Sequence, residues 1–412
     1  MSNVLLRKSK NNITLDAIVP ATPEQPAPTQ NRTAAINSSG RILAVDACRG
    51  LAMMFVCLAH FTWSLEARRP ALADLLASIS MVATPTFLLI SGAMLGLLQL
   101  RRASSNDVLA RRLFHRGLFL VLFGHFVISF AAAWTNDLPY ENILRGRIYV
   151  TDVIGLALVL IPWWSFRVAN GRLVLLGATV YFATLLLVYS WHPAFEPGAL
   201  VKLSFVGLDN EHVTQMTPYA SPIIPYMALY IVGIGLGRWI GTAMAAGSGD
   251  RRIGLAVGRI GLVLMGAALA FKVFTLILGL DPQTTVGHVL RDITAPLRKI
   301  PPSPAYLAFF CGEGLLFLAF FFVAGRSFVG ARLMGLLAVV GQSSLFVFIL
   351  QFFVYGAIAR FVTSASDRVG VLWFVGSIAL IWLAAYGWRA IRGNRLFDVT
   401  YRLFQRPATG VA

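Results

Sequence analysis

The stretch RILAVDACRGLAMMFVCLAH, residues 41–60, sets Asp46, Arg49 and His60 into an otherwise apolar run. At about 100° per residue, the step from Arg49 to His60 comes to roughly 20° and that from Asp46 to His60 to roughly −40°, so the three share one stripe of a helix. An Arg or Asp near the centre of a membrane span costs at least ~2.5–3.5 kcal/mol, so three ionisable groups on one face point to a water-filled or protein-lined cavity. Imidazole, with an unperturbed pKa of about 6.5, can take a proton from an attacking hydroxyl or amine near neutral pH, or carry an acyl group as a nucleophile. A histidine alone near a helix end more often serves as a structural hydrogen-bonder. The arginine on the same stripe is what favours chemistry here.

Four more polar side chains interrupt apolar segments: His125, Lys272, Glu313 and Gln351. Each lies about eight residues, or ~12 Å, from the predicted outer end of its helix. One shared depth suggests a cavity that opens outward, with Lys272 and Glu313 as an internal ion pair. The alternative for each is interhelical hydrogen bonding with no chemical role.

The elements that must position these groups follow from composition. A chain of 412 residues that is 57% hydrophobic and 13% charged, with mean hydropathy +0.71, has more apolar surface than one soluble core can hide. It reads as an all-α, polytopic integral membrane helix bundle. Apolar runs able to cross a ~30 Å hydrocarbon layer occur at about 42–64, 75–98, 113–134, 150–166, 172–191, 222–240, 253–280, 305–325, 335–359 and 369–388, which predicts about ten helices. With the N-terminus inside, most of the 35 Lys and Arg residues fall on the cytoplasmic side, so both termini are expected there.

The net charge of +17 is then topology and attraction to anionic headgroups. A nucleic-acid partner is excluded, because no basic domain large enough to fold alone is present. Residues 1–40 read as a disordered cytoplasmic tail, residues 41–390 as the transmembrane domain and 391–412 as a basic cytoplasmic tail. Cys48, Cys57 and Cys311 fall inside spans as small apolar fillers. The two long outer loops, 192–221 and 281–304, mix charge with apolar residues and are expected to form ordered, short-helical lids. No internal repeat is evident, which weakens an inverted-repeat transporter reading.

At this point the residues resemble a family. Asp-x-x-Arg-Gly followed by a histidine (DACRGLAMMFVCLAH), then TPTFLLISGAMLGL, is similar to the opening of the transmembrane acyltransferase superfamily, and the acyltransferase-3 branch shares the Arg and His spacing. SPIIPYMALYIVGIGLGR at 221–238, RKIPPSPAYLAFFCGEGLL at 298–316 and GQSSLFVFILQ at 341–351 resemble most the bacterial proteins similar to heparan-α-glucosaminide N-acetyltransferase, of DUF1624 type. The resemblance runs over about residues 41–390. It implies ten or eleven helices and acyl transfer across the membrane. It makes His60 and Arg49 the catalytic and donor-handling residues, with Asp46 as the partner of that arginine. Ser91, with Gly92, matches the second-helix Ser-Gly, where small residues permit close packing or approach to a ligand. A histidine expected in the ninth-helix motif is Gln351 here, which puts a two-histidine mechanism in doubt.

The implied co-substrate is acyl-CoA, acetyl-CoA first, with no metal. Its phosphates suit the second cytoplasmic loop, QLRRASSNDVLARRLFHRGL, where Arg101, Arg102, Arg111, Arg112 and Arg116 can bind phosphate bidentately. The positive-inside rule alone would also place arginines there. No Walker or dinucleotide fingerprint exists, and helix packing explains the glycines of GIGLGR. The expectation is an acyltransferase of a bacterial inner (cytoplasmic) membrane. It would move an acetyl or succinyl group onto a hydroxyl or amine of an envelope glycan or glycolipid, with Ser91, His125, Lys272, Glu313 and Gln351 lining the substrate pocket. The alternative is a permease for a small polar or anionic solute, using Arg49, Lys272 and Glu313 as its pathway. A non-catalytic scaffold would gain nothing from buried ions.

Overall fold

The computed structural model describes residues 42–63, 70–101, 106–136, 140, 148–194, 196–208, 221–279, 281, 284–361, 367–399 and 401. The tail expected over 1–40, Arg102 and the last residues of the basic tail lie outside them. Among the described residues the fold is all-α with no β-strand, as the composition predicts. The chain opens with α1 (Leu43–Trp63), α2 (Pro70–Ser80) and α3 (Ala83–Arg101). Next, α4 (Asn106–Phe119) runs through a π-helical turn, Leu120–Gly124, into α5 (His125–Asn136). After these come α6 (Val150–Leu160), α7 (Pro162–Ser165), α8 (Asn170–Ser190), α9 (Glu196–Phe205) and α10 (Ile223–Ala245). The last group is α11 (Asp250–Leu278), α12 (Thr285–Ile293), α13 (Pro304–Ala324), α14 (Phe328–Gln342), α15 (Ser344–Phe361) and α16 (Asp367–Ala390), closed by a 3₁₀ turn, Gly393–Asp398.

Eight of these stretches are long and apolar enough to cross a membrane alone, and α14 with α15, bent by 79° at their junction, makes a ninth span. The bend falls in Gly341-Gln342-Ser343-Ser344, the kind of Gly/Ser sequence where helices kink. The remaining expected span, 150–166, is a helix in the expected place but a short one. Pro162 has no amide hydrogen to continue the ladder, so α6 ends at Leu160 and α7 starts anew. Both outer loops carry the short helices expected of them, α9 and α12.

Burial separates central from peripheral helices. In Ala73–Arg101, 83% of the most apolar window is covered by protein, against 11% in α11, whose Leu262, Val263 and Ile277 project outward as a lipid-facing surface would. Small residues let the central helices touch backbone to backbone. A Cβ on Gly341 would collide with the Asp46 carbonyl, and one on Gly50 with that of Leu337, so α1 and α14 lie against each other directly. Gly233 and Gly237 of the GIGLGR segment meet the carbonyls of Leu89 and Ala93 in the same way, which is the packing role expected of them. Cys48, Cys57 and Cys311 are buried fillers, and the Cys48 thiol donates to the Gly314 carbonyl.

Candidate active site

The contact between α1 and α14 fixes where Asp46 and Arg49 point. The Asp46 Oδ2 accepts from Gln342 Nε2 at 2.9 Å, and the Arg49 guanidinium lies 5.1 Å over the Phe87 ring with Nη1 3.3 Å from Met94 Sδ. Both residues line a cavity of about 310 Å³ at the end of the bundle where α1 begins and α3 ends. Ser91, Arg101, Arg112 and Arg116 line the same cavity, so it joins the first-span pair to three members of the arginine cluster. Arg111 does not line it and is exposed.

The C-terminal turn adds residues that no motif marked. Arg392 adopts a left-handed conformation (φ 55°) at the end of α16, reversing the chain so that Asn394, Arg395 and Asp398 enter the cavity wall. Trp388 Nε1 donates to Asn394 Oδ1 at 3.0 Å, and Asn394 Nδ2 donates to the Gln342 carbonyl at 2.9 Å. Asp398 forms an ion pair with Arg112. Arg49, Arg101, Arg112, Arg116 and Arg395 thus face two carboxylates, Asp46 and Asp398, giving a net positive site. Guanidinium groups bind phosphate in planar, bidentate fashion, so such a wall is suited to a polyanion. Three buried atoms on the wall have no hydrogen-bond partner among the described residues: Ser91 Oγ, Thr151 Oγ1 and Asp398 Oδ1. Buried polar groups are seldom left unmet in native proteins. Three around one cavity suit a polar ligand.

His60 is absent from this lining. It lies one layer deeper along α1, where Phe348, itself a cavity residue, stands edge-on to its ring with centroids 6.2 Å apart, and Phe352 packs at 4.7 Å. Gln351 lies within hydrogen-bonding reach of His60, and Lys299 of the 281–304 loop is close enough for its charge to act on the imidazole. Tyr226 donates to the Lys299 carbonyl at 3.0 Å, holding that loop on the bundle, and burial pushes the Lys299 ammonium down to about 8.

The other expected pocket residues are dispersed. His125, next to the π-helical turn, pairs with Asp152 (Nδ1 to Oδ2, 2.9 Å), whose Oδ2 also accepts from the Tyr149 amide. Tyr149 packs on Phe352, so His125 is linked to His60 through two rings. Lys272 and Glu313 sit on α11 and α13, and no ion pair within 4 Å joins them. Asp152 and Gln342 went unmarked in the sequence because each is one polar residue whose partner is remote in the chain.

An all-α polytopic membrane protein with a cationic cavity one aromatic layer from a histidine belongs among the membrane-embedded transferases of charged donors. The family model described as heparan-alpha-glucosaminide N-acetyltransferase, catalytic, matches residues 41–278, more than half of the chain. The chain belongs to that family, which makes it a membrane transferase of acyl groups. The match stops short of the 298–316 and 341–351 segments. No curated protein matches the chain.

Proposed function

We propose that the protein transfers an acetyl group from acetyl-CoA to an amine or hydroxyl of an envelope glycan or glycolipid at a bacterial inner membrane. The donor enters the arginine-lined cavity from the cytoplasmic side, with its phosphates on Arg101, Arg112, Arg116 and Arg395. Its amide-bearing arm passes Ser91 and Thr151, and Arg49 steadies the thioester end. The acceptor approaches His60 from the opposite face, beneath the 192–221 and 281–304 loops. For the thioester to meet His60, the Phe348 ring must swing aside.

His60 acts by one of two routes. As a base, it takes the proton of the acceptor while the acceptor nitrogen or oxygen bonds to the acyl carbon, the C–S bond breaks, and the imidazolium returns the proton to the departing thiolate. As a carrier, its nitrogen bonds to the acyl carbon first, the thiolate leaves, and the acceptor then displaces the imidazole. Labelled acetyl retained on the protein without acceptor marks the second route.

The observation that carries this reading is the cavity itself, with five guanidinium groups against two carboxylates beside the first-span arginine. The test is CoA binding by the purified protein together with acetyl transfer by His60→Ala. Expected are binding in both proteins and transfer only in the parent. Full transfer by H60A removes His60 from the mechanism. A protein that ignores CoA is instead a permease or another class altogether.

A further inference from the structure

Asp398 is a buried carboxylate in a cavity otherwise suited to anions. It is 4% exposed, its Oδ2 pairs with Arg112, and its Oδ1 is buried on the cavity wall without a partner among the described residues. Its position is rigidly determined. Phe397 packs on Phe119 and Trp388 and lies 5.9 Å beneath the Arg116 guanidinium. Asn394 ties the turn to Gln342, and so to Asp46. A Cβ on Gly393 would strike the Trp388 indole, so the turn seats directly on that ring.

A carboxylate meant only to neutralise Arg112 could sit at the exposed rim, where water would satisfy its second oxygen. Here that oxygen is dry and faces the ligand space, where a phosphate would repel it and only a hydrogen-bond donor can satisfy it. Next to a phosphate-binding arginine, the donors a CoA thioester presents are the exocyclic amine of its base and its ribose hydroxyl. The two pantetheine amides lie further along, toward Thr151 and Ser91. We propose that Asp398 is a specificity-determining residue of the donor site, orienting Arg112 through Oδ2 and accepting a hydrogen bond from the nucleoside through Oδ1. This rests on the acyl-CoA reading above. It gives the Gly393–Asp398 turn, which lies beyond the matched region, the task of recognising the nucleotide.

The test uses the full-length purified protein and measures binding of CoA, 1,N6-etheno-CoA (base amine blocked), 2′-deoxy-CoA (ribose hydroxyl removed) and inorganic pyrophosphate. In the parent protein, one of the two CoA analogues should bind about tenfold more weakly than CoA, the loss expected for one hydrogen bond to a charged group. In Asp398→Asn, CoA should fall by a similar factor, the analogue should lose nothing more, and pyrophosphate should bind no more weakly than before. Equal affinity of the parent for CoA and both analogues overturns the proposal, whatever the variant does. So does an equal loss of CoA and pyrophosphate in D398N, which would confine Asp398 to holding Arg112. A parent that binds pyrophosphate but no form of CoA overturns the acyl-CoA reading itself.

Discussion

Lys299 offers a test of whether the face of the bundle near His60 is dry. The residue sits in a short connection pinned by Tyr226 and by Tyr181, which donates to the Pro302 carbonyl at 2.8 Å. Burial brings its pKa from an ordinary 10.5 to about 8. At about 1.4 kcal/mol per pKa unit, that is on the order of 3 kcal/mol, an upper bound because the residue as a whole keeps some exposure. The sign follows from proton counting. Between pH about 8 and 10.5 the unfolded chain holds a proton on Lys299 that the folded protein has lost, so stability rises with pH in that window. Below pH 8 both states are protonated and the full penalty of burying the charge applies. Lys299→Met removes the penalty. The variant should therefore be more stable than the parent at pH 7 by up to ~3 kcal/mol, and the gap should close as pH approaches 10.5. Thermal unfolding of both proteins in detergent, followed by tryptophan fluorescence from pH 7 to 10, measures it. Parallel curves across the whole range would mean that the ammonium is hydrated, and would refute the reasoning.

Three further outcomes follow from contacts already described. Gly341→Ala drives a methyl into the Asp46 carbonyl and should lower stability by ~1–3 kcal/mol or more, with loss of CoA binding because Asp46, Arg49 and Gln342 move together; an unfolding temperature equal to the parent's would contradict the backbone contact. Phe348→Ala removes the ring between cavity and His60, so hydrolysis of acetyl-CoA without acceptor should increase, and an unchanged rate would remove Phe348 as the barrier. Ser91→Ala and Thr151→Val delete buried hydroxyls without partners; each should leave stability unchanged or raise it by up to ~1 kcal/mol while CoA binds several-fold more weakly, and a stability loss would show that the hydroxyls are already satisfied.

The sequence revealed what depends on local pattern. Apolar runs located the spans because each must bury its own backbone in lipid whatever its neighbours do. The stripe of Asp46, Arg49 and His60 followed from helical spacing alone. Long-range assembly was not legible in the same way. Arg395 looks like one more basic residue of a cytoplasmic tail, and Asp398 like an isolated acid, until the left-handed Arg392 turns the chain back beneath α4 to meet an arginine 286 residues away. The stripe itself was read as one site, yet α1 delivers its residues to two places, Asp46 and Arg49 to the cavity and His60 to the layer behind Phe348. A rise of 1.5 Å per residue separates Arg49 from His60 by about 16 Å along the axis, more than one compact site can span. That separation suits a donor with a long flexible arm, since a small solute held by Arg49 could not reach the imidazole. The same arithmetic explains the wall of unmet polar atoms: a thioester that must travel such a distance through a bundle needs partners for its amides on the way, and Ser91 and Thr151 stand between the arginines and the Phe348 ring.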